Sequence, residues 1–136
     1  MNDIELSEEQ RMIRDMARDF AKAELAPNAA TWEKAGWLDD NMLKQMGELG
    51  FLGMVVPEEW GGSYIDYTSY VLAVEEISVG CAATGAVMSI HNSVGCTPIL
   101  NWGNQQQKQE WLPDLAAGKI LACCCLTEPQ AGSEAN

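Results

Sequence analysis

The chain predicts an all-α fold, a layer of about six helices followed by the start of a β region. Three observations carry this expectation. Apolar residues recur at helical spacing in stretches from Ser7 to Ala116. Each stretch is bounded by a capping residue or by Gly or Pro. One short apolar run, Lys119 to Cys125, reads instead as a strand. Residues 1–118 are therefore expected to form a helical domain and residues 119–136 the start of a second, β domain. A lone strand at the end of a chain has nothing to pair with, so the sequence is expected to stop short of that domain's remainder.

The first helix opens on a capping box, Ser7-Glu8-Glu9-Gln10. Ile13, Met16, Ala17 and Phe20 form its apolar stripe, with Arg11, Arg14, Asp15, Arg18 and Asp19 on the wet side. Pro27 ends or bends it near Ala26. Asn28 to Lys34 predicts a short second helix, stopped by Gly36. Asp39 and Asp40 offer a cap for a third, whose Leu43, Met46 and Leu49 lead to Gly50 as C′ residue. Phe51 to Val56 is short and apolar, and Pro57-Glu58-Glu59-Trp60-Gly61-Gly62 predicts a tight loop anchored by the indole.

Asp66 caps the fourth helix, with Tyr67, Val71, Val74 and Ile77 as its stripe, Glu75 and Glu76 as a solvated face and Gly80 as its stop. Adjacent carboxylates on a helix point about 100° apart, so Glu75 and Glu76 cannot share one proton. Ala82 to Ser93 is small and apolar nearly all round, which predicts a helix central to its domain or one that walls an apolar ligand. Pro98 predicts a break, after which Ile99, Leu100 and Trp102 run to Gly103. The last helix, Gln105 to Ala116, turns Trp111, Leu112 and Leu115 inward and stops at Gly118.

A net charge of −12 disfavours nucleic acid or an anionic membrane as partner, since both need a basic face. A local pocket for an anionic ligand stays open. The most apolar stretch, Val79 to Ile90, is too short to span a bilayer, and the acidic start Met1 to Glu5 does not resemble a secretory signal. The expected compartment is the cytoplasm, or the mitochondrial matrix for a eukaryotic protein. Five cysteines without a C-x-x-C and a single histidine disfavour a metal site, and Cys81, Cys96 and Cys123 to Cys125 are expected as reduced, packed small residues.

Chemistry concentrates in the final loop, Leu126-Thr127-Glu128-Pro129-Gln130-Ala131-Gly132-Ser133-Glu134. A strand that opens into Pro, Gly and small residues can bring backbone N–H groups and the Thr127 and Ser133 hydroxyls to a bound cofactor.

Here the chain resembles the acyl-CoA dehydrogenase family, whose signature Thr-Glu-Pro-x-Ala-Gly-Ser-Asp is met by residues 127–133, with Glu134 in place of Asp. The resemblance extends along essentially the whole chain. Ser7 to Phe20 is similar to the family's first helix, Gly50 to Gly53 with Pro57 to Gly62 to its Gly, Pro and Gly-Gly segment, and Gln107-Lys108 with Trp111-Leu112 to its Gln-Lys-x-x-Trp/Tyr-Leu helix. Gly118 matches the glycine before the first strand, and Met88 to Ser93 resembles the short-chain members.

The resemblance implies an N-terminal helical domain, a middle β-barrel, a C-terminal bundle and a homotetramer. It also implies FAD, an acyl-CoA thioester substrate with a short or branched chain, and electron-transferring flavoprotein as acceptor. In the implied reaction a carboxylate takes an α-proton, the β-hydride passes to the flavin, and a trans-2-enoyl-CoA results. Cofactor contacts would come from Cys124, Cys125, Leu126, Thr127, Glu128, Pro129, Gln130, Ala131, Gly132 and Ser133. Substrate contacts would come from Ser133, Ser89 and Asn92, with Ser93 as a further candidate. His91 is not a position that the family uses as base, and the catalytic carboxylate is expected beyond residue 136, so the segment alone is expected to be inactive. Two alternatives stand beside this reading: a flavin-dependent monooxygenase on the same fold, and a non-catalytic helical interaction module.

Overall fold

A computed structural model describes residues 5–134; residues 1–4, part of the acidic N-terminal stretch, and residues 135–136, the end of the expected β segment, lie outside the described residues. The described chain is helical, as its pattern predicts. In order it forms α1 (Glu8–Phe20), α2 (Ala29–Ala35), α3 (Asp40–Glu48), α4 (Tyr67–Gly80), α5 (Ala82–Ile90), α6 (Thr97–Trp102) and α7 (Gln105–Ala116). A π-helical turn at Ala21–Leu25 prolongs α1, and another at His91–Cys96 joins α5 to α6, so the seven helices make six continuous rods.

The caps form where the residue types demand them. The Ser7 hydroxyl accepts from the Gln10 N–H while the Gln10 side chain accepts from the Ser7 N–H, closing the capping box. Asp39 caps α3, Asp66 caps α4, and Asn104 with Gln107 forms a second capping box at α7. Gly36, Gly50 and Gly118 take positive φ at helix ends.

Several expectations are corrected by packing. Gly80 is the last residue of α4, as expected, but it also has a packing role: a Cβ there would lie 2.9 Å from the Ala21 side chain, so Gly80 lets α4 lie against the turn after α1. The buried stripe of α4 is Ser69, Ala73 and Ile77, while Tyr67 and Val71 are exposed. Glu76 is not simply solvated: it accepts from Arg18 Nε at 3.0 Å and from a second guanidinium nitrogen, which joins α1 to α4. Pro98 breaks nothing, because the wider π turn before it carries the helix past a residue that lacks an N–H. Trp111 stays on the surface of α7, and Leu112, Leu115 and Ala116 are the residues turned inward.

The expected strand over 119–125 is absent. Lys119 and Ile120 bend away from α7, residues 121–125 take no regular structure, and no second segment among the described residues offers a ladder of hydrogen bonds. For the same reason Cys123, Cys124 and Cys125 are exposed thiols rather than packed ones; Cys81 and Cys96 are buried.

The core has two parts that meet at the irregular segment 51–56. One gathers Ala17, Leu25, Met46, Ile77 and Met88 around Phe51, whose ring lies 5.8 Å from that of Phe20. The other gathers Val56, Cys96, Leu112 and Leu115, with Trp60 packed onto it as the anchor expected of its loop. A buried loop must satisfy its own backbone. Residues 51–56 do so through the Gly53 carbonyl with Ser63 N–H, the Val56 carbonyl with Tyr64 N–H, and the side chain of Asn92.

Candidate functional site

The loop that the sequence singles out is held by very little. After α7 ends, Lys119 pairs with Asp114 at 2.8 Å, and the next anchor is Ala122, the one half-buried residue from 119 to 130. Cys124, Cys125, Leu126 and Thr127 then extend into solvent, and Leu126 is 66% exposed. Glu128 to Ala131 closes into a tight turn: Glu128 N–H donates to the Ala131 carbonyl at 2.9 Å and Ala131 N–H to the Glu128 carbonyl at 3.1 Å. Pro129 and Gln130 occupy its tip, with the Gln130 amide donating to the Glu128 carboxylate at 2.9 Å. Gly132 has open space where a side chain would be, and Ser133 is exposed. The result is a turn of defined shape that offers an apolar side chain and two hydroxyls to whatever lies against it.

The anchor at Ala122 is built by His91. The ring is fully buried on the π turn after α5. Its Nδ1 accepts the Ala122 N–H at 3.1 Å, so the neutral ring carries its proton on Nε2, which lies 3.1 Å from the Leu115 carbonyl and donates to it. Burial pushes its pKa below the ordinary 6.5. Both nitrogens are engaged with backbone, which leaves no lone pair for a substrate proton. The Cys96 sulfur lies 3.7 Å from Nε2, and burial pushes that thiol up to about 12, so it is no thiolate nucleophile. Gly95 completes the slot, since a Cβ there would run into the Ala122 methyl group.

The remaining candidates lie on α5 and the turn that succeeds it. Asn92 is fully buried; its amide donates to the carbonyls of Phe51 at 2.9 Å and Met88 at 3.0 Å, and its oxygen accepts from Val55 N–H at 3.3 Å. Those bonds use both N–H donors and one of the two oxygen lone pairs, and the side chain has no exposed surface. The Ser89 carbonyl accepts from the hydroxyls of Tyr70 and Ser93, and the Ser89 side chain is half-buried. Ser93 is exposed. Among the described residues no hydrogen bond joins Ser89 to Ser133.

The expectation of a helix central to its domain is met on one face only. Thr84, Gly85 and Met88 face the core, and Gly85 is required because a Cβ would collide with Ser78 on α4. Ala83, Ala86, Ile90 and Val94 recur at helical spacing on the opposite side and are exposed. An exposed stripe of small apolar residues is suited to cover an apolar ligand or another element.

Residues that sequence reasoning left out are the ones that position this region: Ala122, Gly95 and the Leu115 carbonyl. A histidine in an otherwise apolar helix is the visible signal, but its partners are 24 and 31 residues away in the chain.

With this geometry in place, comparison with known proteins is direct. The family model for the acyl-CoA dehydrogenase N-terminal domain matches residues 7–119. The chain is 47% identical over 133 residues to the mitochondrial short-chain specific acyl-CoA dehydrogenase of Rattus norvegicus, a match that covers 98% of this chain and 32% of that protein. A chain in the structure of the electron transferring flavoprotein of Acidaminococcus fermentans superposes with a TM-score of 0.93 at 43% identity, covering 98% of this chain and 35% of that one. The acyl-CoA dehydrogenase of Bacillus anthracis complexed with FAD superposes with a TM-score of 0.87 at 35% identity, covering 99% of this chain and 24% of that one. This chain spans about a third of the length of the curated relatives it matches.

Proposed function

The chain belongs to the acyl-CoA dehydrogenase family, and we propose that residues 1–118 act as the N-terminal helical domain of a flavoenzyme that dehydrogenates short or branched acyl-CoA thioesters, with residues 119–136 opening its β domain. FAD is the cofactor in this reading, electron-transferring flavoprotein the electron acceptor, a homotetramer the assembly, and a trans-2-enoyl-CoA the product. The compartment is a bacterial cytoplasm or, as for the rat relative, a mitochondrion. Among the described residues no helix is long and apolar enough to cross a membrane.

The single observation that supports this best is the exposed turn at 126–133. It sets apolar Leu126 beside the Thr127 hydroxyl, and the open side of Gly132 leaves room for a ligand to approach the backbone. A flavin needs an apolar surface against its ring and hydrogen bonds at its polar edge, and these residue types fit both. FAD when bound supplies the hydride acceptor. The residues of this chain bind and orient. Leu126 covers the ring, Thr127 and Ser133 donate hydrogen bonds, and the exposed face of Ala83, Ala86, Ile90 and Val94 excludes water from the acyl chain. Ser89 and Ser93 border that face. No acid of these helices takes the α-proton in this scheme; the base belongs to another part of the enzyme.

The test uses the protein as purified from its host. Intact mass and a flavin absorbance spectrum establish what chain carries FAD, and anaerobic addition of butyryl-CoA should bleach the flavin. A colourless protein that binds no added FAD, or a flavin that butyryl-CoA leaves oxidised, overturns the reading.

A further inference from the structure

We propose that His91 is a positioning residue for the 123–133 segment: its neutral ring, seated on the Leu115 carbonyl and receiving the Ala122 N–H, fixes the point at which that segment leaves the helical bundle. The consequence for flavin rests on the proposal that 124–133 borders the cofactor; the clip itself does not.

Two independent features place the anchor at Ala122. It is the one half-buried residue from 119 to 130, and Gly95 leaves a slot that its methyl group fills. Beyond it, residues 123–126 are all exposed, so no buried side chain holds the chain between Ala122 and Leu126. Ala122 is therefore the last half-buried contact with the helical bundle before Leu126 and Thr127. The surface pair of Lys119 and Asp114 lies before the anchor and cannot hold the residues beyond it.

The ring also makes the anchor responsive to protons. Protonation puts hydrogen on Nδ1, which then faces the Ala122 N–H donor to donor, and the bond is lost. No charged residue in α5, the π turn, α6 or the 51–56 loop opposes that change. The Cys96 thiol is the titratable group beside the ring, and on α7 the nearby Asp114 is held by Lys119. Burial favours the neutral ring, so the clip is closed at neutral pH and opens on acidification.

The experiment measures hydrogen exchange across 119–125 and the FAD dissociation constant on the same preparations of the full protein, wild type and variants, at neutral and mildly acidic pH. His91→Leu and Gly95→Ala should each lower the protection of the Ala122 amide and weaken FAD by about tenfold, the worth of one hydrogen bond. Protection within α1 and α4 should not change. His91→Gln, whose amide can donate and accept but does not titrate, should keep part of the protection and lose its pH dependence. Equal protection of Ala122 in wild type and His91→Leu overturns the clip, and lost protection with unchanged FAD affinity overturns its consequence for flavin. Should His91→Leu fail to fold, Gly95→Ala and His91→Gln carry both readouts. A wild-type protein that binds no FAD sinks the functional reading, and the exchange data then decide the clip alone.

Discussion

The side-chain amide of Asn92 donates to the Phe51 carbonyl at 2.9 Å and so couples the turn after α5 to the buried 51–56 segment, across 41 residues of sequence. The same side chain accepts from Val55 N–H, which gives this irregular stretch partners that a helix or strand would otherwise supply. Replacement by Leu removes both and leaves a buried carbonyl and a buried N–H unpaired. The expected loss is about 3 kcal/mol of unfolding free energy, read from urea denaturation as a lower midpoint with unchanged slope. A variant as stable as wild type would show that these bonds contribute nothing and restore Asn92 as a candidate ligand contact.

Two glycines separate conformational strain from collision. Gly36 has φ +65° and empty space around its missing Cβ, whereas Gly47 has ordinary φ but a Cβ there would strike the Ala117 backbone. Gly36→Ala should cost about 1 kcal/mol, the strain of a left-handed alanine. Gly47→Ala should cost about 2–3 kcal/mol, because the chain after α7 must move away from α3. Thermal unfolding of both variants checks the order, and the reverse order would refute this account of how α3 and α7 meet.

Local chemistry made most of the fold legible. Ser7 with Gln10, Asp39, Asp66 and the positive-φ glycines announce their helix ends, because a cap is decided within a few residues. What the sequence hid was which face of a helix is buried. Tyr67 and Val71 are as apolar as Ala73 and Ile77, and only contact with α1 and α5 selects the second pair. The strand expected over 119–125 does not form for a related reason: a short apolar run describes a segment ready to pair, and pairing needs a neighbour. In the candidate site, the motif at 127–133 is readable directly, while the role of His91 depends on a carbonyl and an N–H that carry no side-chain signature.

His91 also makes a prediction about stability. Its folded pKa lies below the ordinary 6.5, so between these values the unfolded chain binds more protons than the folded one. Stability is therefore full above pH 6.5 and declines as pH falls through the window beneath it, by at most about 1.4 kcal/mol per pH unit for one proton. Urea midpoints measured across that range should fall on acidification in the wild type and stay flat in His91→Gln. A midpoint that rises on acidification would contradict the buried neutral ring.

The exposed turn gives the sharpest division between folding and function. Thr127 and Leu126 stand in solvent, so neither Thr127→Val nor Leu126→Ser should change the unfolding free energy by more than about 0.5 kcal/mol. Their effect should appear in the cofactor alone. In the proposed site, loss of the Thr127 hydroxyl removes one hydrogen bond to the flavin, and FAD affinity should fall about tenfold. Leu126→Ser removes apolar surface that burial against a ring would have stabilised by about 2 kcal/mol, a larger loss of about thirtyfold. Flavin fluorescence titration of the full protein measures both, and thermal melts of the cofactor-free forms supply the control. If the two substitutions destabilised the apoprotein instead and left FAD affinity intact, the turn would be a structural corner and the flavin would have to bind elsewhere.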